Sequence, residues 1–138
     1  MATAGYSSTP LAKKLGVKEG FIINLINAPA NYFDLFTDMP SSVSISDKAG
    51  EKKNLIHFFT KDTAELTQTL PQLKKEILPN GMIWVSWPKK SANIPTDVNE
   101  HLVRSTALEN GLVDIKVCAV DDTWSGLKLV IPVKDRKG

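Results

Sequence analysis

Apolar residues along this chain fall into short blocks with two different spacings. Phe21-Ile22-Ile23-Asn24-Leu25-Ile26, Leu55-Ile56-His57-Phe58-Phe59 and Met82-Ile83-Trp84-Val85 are nearly continuous apolar runs, as strands are when a parallel sheet is covered on both faces. Val43-Ser44-Ile45-Ser46 alternates, the pattern of a short, half-exposed strand. Between these runs the apolar positions recur at helical spacing: Leu66, Leu70, Leu73 and Ile77 make one stripe, and Val98, Leu102 and Thr106 another. Leu11 and Leu15 share a face in a shorter helix within Tyr6 to Gly16, with Ser8 or Thr9 as N-cap, Pro10 in the first turn and Gly16 as stop.

Punctuation residues sharpen the boundaries. Asp62 with Glu65, and Asp97 with Glu100, have capping-box spacing and predict two helix starts, the second ending at Asn110-Gly111. Pro71 should kink the first of these helices or begin another. Asn27 to Asn31 reads as a loop, Tyr32 to Phe36 as a short helix and Asp47 to Asn54 as a loop. Pro79-Asn80-Gly81 predicts a turn into a central strand over residues 81–87, and Pro88 removes a donor, so pairing should stop near Trp87.

The alternation of strand and helix ends at Leu112. Leu112 to Val120 and Leu127 to Val133 are strands joined only by Asp121-Asp122-Thr123-Trp124-Ser125-Gly126, too short for a parallel crossover, which predicts an antiparallel hairpin. The expected architecture is α/β, with a mostly parallel sheet ending in that hairpin. Ligands of such sheets bind beyond the carboxyl ends of the strands. Asn27 to Tyr32, Thr60 to Asp62, Trp87 to Ser91 and Asp121 to Ser125 should therefore emerge on one edge.

Composition narrows the class. With 138 residues, 42% apolar and 23% charged, the chain fits one domain over 1–133, followed by a mobile basic tail over 134–138. Its formal charge is +2, yet Lys134, Asp135, Arg136 and Lys137 account for all of it, which argues against a nucleic-acid partner. One cysteine, Cys118, excludes an internal disulfide and suits a reducing cytoplasm. No apolar stretch approaches the roughly 18 residues of a membrane span, and Met1 to Pro10 lacks a secretory pattern.

Trp87-Pro88-Lys89-Lys90-Ser91 is the loop richest in candidate chemistry. Paired ammonium groups beside an indole suit a phosphate or carboxylate with a flat group stacked alongside; equally, Trp84 and Trp87 fill core and the lysines solubilise a turn. Asp121 and Asp122 are adjacent carboxylates without a nearby histidine or the spacing of an oxygen-ligand loop, so a structural turn is favoured over a metal. Asp121 is instead expected to pair with Lys89 or Lys90, or to line a pocket with Trp124. Asp47 lies about 20 residues beyond the first strand's turn, where acidic residues meet ribose in nucleotide-binding sheets. His57 reads as a core histidine, His101 as surface, Cys118 as an inert buried thiol, and Lys52-Lys53 and Lys74-Lys75 as solvated charge.

Four stretches carry a resemblance: Tyr6 to Gly16 (YSSTPLAKKLG), Val85 to Lys90 (VSWPKK), Pro95-Thr96-Asp97, and Gly111 to Lys128 (GLVDIKVCAVDDTWSGLK). Together they resemble a bacterial family defined only as domain of unknown function 3052, which implies no activity. More loosely, the chain resembles the S-adenosylmethionine-dependent methyltransferases, whose sheet also ends in a reversed hairpin strand. That likeness implies a Rossmann-like three-layer sandwich in reduced, methyltransferase-like form. Those enzymes hold the cofactor on a glycine-rich turn after the first strand. Here that turn is Asn27-Ala28-Pro29-Ala30-Asn31, without glycine, and Pro29 removes an amide donor. The departure argues against S-adenosylmethionine binding, and no other cofactor or metal is expected.

These residues point to a non-enzymatic domain that binds a small anionic or aromatic ligand, or a protein partner, at an edge made by Asn27, Tyr32, Trp87, Lys89, Lys90, Asp121 and Trp124. Competing with it are a reduced methyltransferase-like enzyme completed by a second subunit, and weak nucleic-acid binding through Trp87, Lys89, Lys90 and the tail. The hairpin leaves an open sheet edge at which another chain could pair.

Overall fold

The computed structural model describes residues 9–136. Its strands are β1 (Ile22–Ile26), β2 (Ser44–Ile45), β3 (Lys53–Phe59), β4 (Ile77–Pro88), β5 (Val113–Ala119) and β6 (Trp124–Val130), in one sheet of order β2-β1-β3-β4-β6-β5. β2, β1, β3 and β4 run parallel, while β6 runs antiparallel to both β4 and β5. The α/β architecture with a terminal hairpin is therefore observed, and β6 inserts between β4 and the edge strand β5. β1 has a neighbour on each side, although its outer one, β2, is only two residues long.

Helices cover both faces, giving three layers. On one face α2 (Thr63–Lys74) and α3 (Glu100–Glu109) bury Leu66, Leu70, Leu73, Val103 and Ala107 against Ile56, Phe58, Ile83, Val85 and Leu127. On the other, α1 (Leu11–Leu15) buries Leu11, Ala12 and Leu15 against Ile23, Leu55, Met82, Trp84 and Val130. Pro10 precedes α1 and Gly16 closes it at φ 83°, the left-handed conformation glycine favours. Ser8 lies outside the described residues.

Trp84 fixes α1 to the sheet. It is fully buried, and its indole Nε1–H donates to the Leu15 carbonyl at 2.8 Å, satisfying one of the carbonyls that the helix end would leave open. Gly126 on β6 leaves the indole room, since a Cβ there would come within 3.1 Å of the Trp84 ring.

Several local expectations are corrected. α2 passes Pro71 without a break and ends at Lys74; the carbonyl that the missing amide would have met, on Thr67, belongs to an exposed residue and is open to water. Ile77 belongs to β4 and not to the helix stripe. Pro79-Asn80-Gly81 is not a turn before the central strand but a bulge inside it: β3 advances from Lys53 to Leu55 while its partner advances from Ile77 to Met82. Gly81 is required there, because a Cβ would meet the Leu78 and Lys53 carbonyls at 3.0 Å. Lys53, expected as solvated charge, is fully buried beside this bulge, its ammonium 2.8 Å from Glu76 and 2.7 Å from the Lys48 carbonyl.

The second capping box is also rearranged. Asn99, not Asp97, caps α3, accepting from Leu102 N–H at 2.9 Å. Asp97 reaches back to the start of α2, accepting from Thr63 N–H at 2.8 Å, and that hydrogen bond, with one from the Thr63 side chain, holds its carboxyl below the usual range. At the chain end, Val133–Asp135 forms a 3-10 turn, and Arg136 Nε donates to the Ile131 carbonyl at 2.8 Å. The expected mobile tail thus begins with this turn, and residues 137–138 lie outside the described residues.

Candidate functional site

The carboxyl ends of the parallel strands share one rim with the β5–β6 turn. Ile26 is level with Phe58, Phe59 with Ser86, and Pro88 with Trp124. Backbone bonds lace the rim together: Thr60 N–H donates to Ser86 O at 2.9 Å and Lys89 N–H to Thr123 O at 2.8 Å. All four segments expected on one edge are there.

Their side chains are another matter. The chain steps outward from β1 to β2 and returns to β3 on β1's other flank, so the topological switch lies between β1 and β3, where doubly wound sheets place their ligands. This crevice is spanned by the protein's own groups. Asn27, left-handed at φ 59°, donates through Nδ2 to the Phe59 carbonyl at 3.1 Å and to Glu65 Oε2 at 2.9 Å, and Thr60 Oγ1 donates to Glu65 Oε1 at 2.7 Å. Glu65 thereby leaves its expected capping-box role; the amide of Asp62 donates to Thr60 Oγ1. Asp62 itself does cap α2, accepting from Ala64 N–H at 2.9 Å.

Beneath the rim on the α1 face runs a closed polar relay. Tyr32, in the 3-10 turn Tyr32–Leu35, is buried with its hydroxyl 2.9 Å from His57 Nδ1, and His57 Nε2 lies 2.8 Å from Ser86 Oγ. Phe59 stacks on the imidazole at 4.2 Å between ring centroids, and Trp124 meets Phe59 edge-on at 5.0 Å. Burial drives the His57 imidazole down to about 3 and pushes the Tyr32 phenol up. Both stay neutral near pH 7, and both imidazole nitrogens are engaged, so His57 ties β3, β4 and the Tyr32 turn together.

The opposite face carries an open cleft of about 690 Å³. Lys89 and Lys90 stand at its mouth, Trp87 and Val98 supply apolar floor, and Asn99 and His101 form the wall at the start of α3. Trp87 is only 6% exposed, so little of its ring is open to stacking. Two carboxylates also line the cleft, but Asp97 is bonded to Thr63 and Glu100 is paired with Arg104 at 2.5 Å.

The family model described as "Protein of unknown function (DUF3052)" matches residues 37–133. The chain belongs to this family. The family match takes in the Val85 to Lys90 and Gly111 to Lys128 stretches and leaves Tyr6 to Gly16 outside. No curated protein sequence matches significantly. Solved structures similar to the DUF3052 chain include methyltransferases. A putative type 11 methyltransferase from Sulfolobus solfataricus shares 13% identity with a TM-score of 0.61, over 93% of each chain. Magnesium protoporphyrin IX methyltransferase from Synechocystis PCC 6803, with bound SAM, shares 10% identity with a TM-score of 0.59, over 88% of this chain and 74% of that one. A putative methyltransferase from Thermoplasma acidophilum shares 10% with a TM-score of 0.56, over 93% and 76%. At such identities the likeness shows a shared Rossmann-like, methyltransferase-like fold. Among the described residues no helix is long and apolar enough to cross a membrane.

Of the residues expected to share one edge in this DUF3052 protein, the cleft gathers Trp87, Lys89 and Lys90. Tyr32 and Trp124 turn to the α1 face, and Asn27 closes the switch-point crevice. Asp121 bonds to neither lysine in the way expected: its Oδ1 accepts from Thr123 and Trp124 N–H, both at 2.8 Å, and so shapes its own turn. Asp47 is exposed beyond β2, outside the cleft lining. The stretch from Thr96 to His101 was not foreseen as part of the site. Its sequence signals were the helix-start pattern and the family stretch Pro95-Thr96-Asp97, neither of which says which strand end the helix will face.

Proposed function

We propose that the protein is a non-enzymatic binding domain whose ligand is a small anion, or an acidic group on a protein partner, held in the cleft beside Trp87-Pro88-Lys89-Lys90. One observation carries this reading: the fold's customary crevice between β1 and β3 is spanned by Asn27, Thr60 and Glu65, whereas an open cleft with two lysines at its mouth lies beyond the end of β4. Lysines act as point charges toward phosphate or carboxylate. The burial of Trp87 favours an anionic over a stacked aromatic ligand. The test is a thermal-shift screen of organic and inorganic anions on the wild type and on the double variant Lys89→Ala, Lys90→Ala. A stabilising anion should lose its effect in the variant; an equal shift in both proteins would place the ligand elsewhere.

A second reading, a reduced methyltransferase-like enzyme that needs a partner subunit, is favoured by the shared fold alone. Against it stand the glycine-free turn Asn27 to Asn31 and the engagement of Asn27 with Phe59 and Glu65. Calorimetry with S-adenosylmethionine separates the two: heat of binding by the isolated chain would favour the enzyme.

A further inference from the structure

A second charged surface lies on the α1 face, away from the rim cleft. Lys116 on β5 and Lys128 on β6 are directly opposite in the register. Like charges so placed destabilise a sheet. Lys128 tucks under the end of α1, where a Cβ on Gly16 would sit 3.7 Å from its ammonium. Lys18, just beyond that turn, is near enough for its charge to act on Lys128. Beside this group a cleft of about 440 Å³ opens between α1 and β5, lined by Lys13, Lys14, Lys116, Thr9, Val117 and Cys118.

Among the described residues, the carboxylates of Asp38, Glu19 and Asp114 are engaged away from Lys116, Lys128 and Lys18. Asp38 accepts from the amides of Ala12 and Lys13 at 3.0 and 3.1 Å, at the start of α1. Glu19 bonds to Ser42. Asp114 is only two residues from Lys116, yet the register shift between them sends it to the opposite face, onto Arg104 at 3.0 Å. The carbonyls at the end of α1, which would repel an anion, are already engaged: Lys116 Nζ donates to Lys14 O at 3.0 Å, Trp84 Nε1 to Leu15 O, and Gly16 N–H to Ala12 O and Lys13 O.

A lysine on an edge strand commonly serves to block unwanted strand pairing, and that accounts for Lys116. It does not account for Lys128, which sits half-buried on an inner strand flanked by β4 and β5. Burial, and then the charges of Lys116 and Lys18, lower the basicity of Lys128.

We propose that Lys116, Lys128 and Lys18, with the adjoining cleft, bind a phosphoryl group. Two ammonium groups on facing positions, with the charge of Lys18 acting on one of them, suit a compact, multiply charged anion, and among the described residues no aromatic side chain lines the cleft to stack on a base. The phosphoryl group belongs either to a free phosphate compound or to a nucleic-acid backbone, and the surface would contact either through charge alone.

Two ligands separate these sources: sodium pyrophosphate followed by thermal shift, and a fluorescent single-stranded oligothymidine followed by anisotropy at low and high salt. Each is applied to the full chain, to Lys128→Met, and to Lys75→Ala, which removes an exposed lysine at the end of α2 that lines neither cleft, as a control for loss of charge. Without ligand, Lys128→Met should melt at or above the wild-type temperature, because a repulsion is removed. A pyrophosphate shift that is present in the wild type and in Lys75→Ala but lost in Lys128→Met supports a free phosphate compound. Salt-sensitive oligothymidine binding with that same dependence on Lys128, and no pyrophosphate response, supports the backbone source. The proposal is overturned if neither ligand binds, if binding survives in Lys128→Met or is lost equally in Lys75→Ala, or if Lys128→Met melts well below wild type without ligand, since the lysine would then serve the fold.

Discussion

The β1–β3 crevice and the β4–α3 cleft open on the same rim and have opposite characters. In the first, an amide, a hydroxyl and a carboxylate satisfy one another across the gap, and the Tyr32–His57–Ser86 relay lies closed on the α1 face. In the second, lysines border an unfilled volume. A crevice that a fold usually offers to ligands can thus be converted into structure by a few polar side chains, and the capacity to bind then has to be sought one strand further along.

The largest effect that sharpens this contrast should come from His57→Ala, which strands the Tyr32 and Ser86 hydroxyls and opens a cavity. Destabilisation of about 3–5 kcal/mol is expected by chemical denaturation. A loss below about 1 kcal/mol would mean that the relay is not structural.

The next effect is on pH. His57 is held far below its unfolded value of 6.5, at about 3, so below pH 6.5 the unfolded chain takes up a proton that the folded chain refuses. Its contribution to stability is fully present above about pH 6.5 and declines as pH falls toward 3, by up to about 1.4 kcal/mol per pH unit. Unfolding curves at pH 7.5 and 4.5 measure this, and in His57→Phe the part due to this residue should vanish. A wild type equally stable at both pH values would contradict the burial of a neutral imidazole.

Asn27→Gly preserves the left-handed backbone and deletes the bonds to Phe59 and Glu65. A loss of about 1–2 kcal/mol is expected, with no gain of S-adenosylmethionine binding by calorimetry. Should the variant bind that cofactor, Asn27 would be a latch over a functional crevice and the contrast would collapse. The smallest effect on stability belongs to the rim cleft: Lys89→Ala with Lys90→Ala should change stability by less than about 1 kcal/mol while removing anion-induced stabilisation.

The strands that make this rim were legible in the sequence because apolar runs bounded by turn residues have few alternatives, and the six-residue connector Asp121 to Gly126 permits only a hairpin. The rim itself followed from the direction of those strands. What could not be read was the partner of each polar side chain. Asp97 and Glu65 both have capping spacing, yet Asp97 caps the neighbouring helix and Glu65 bonds across the crevice. Lys53 looked like one of a solvated pair and is buried on Glu76, because the bulge at Pro79 to Gly81 sets Ile77 opposite it and so brings the neighbouring Glu76 within reach.

The order of elements, the switch from parallel strands to a hairpin and the membership of the apolar core were thus settled by local pattern, since burial and turn chemistry act on each segment with little regard to distant ones. Tertiary structure alone decided which face each rim side chain serves. Successive residues on a strand point to opposite sides of the sheet, so Trp87 and Trp124 can meet at one rim and still enter different cores. It also decided which charges find partners, because a hydrogen bond between residues dozens of positions apart exists only once the sheet has set their distance.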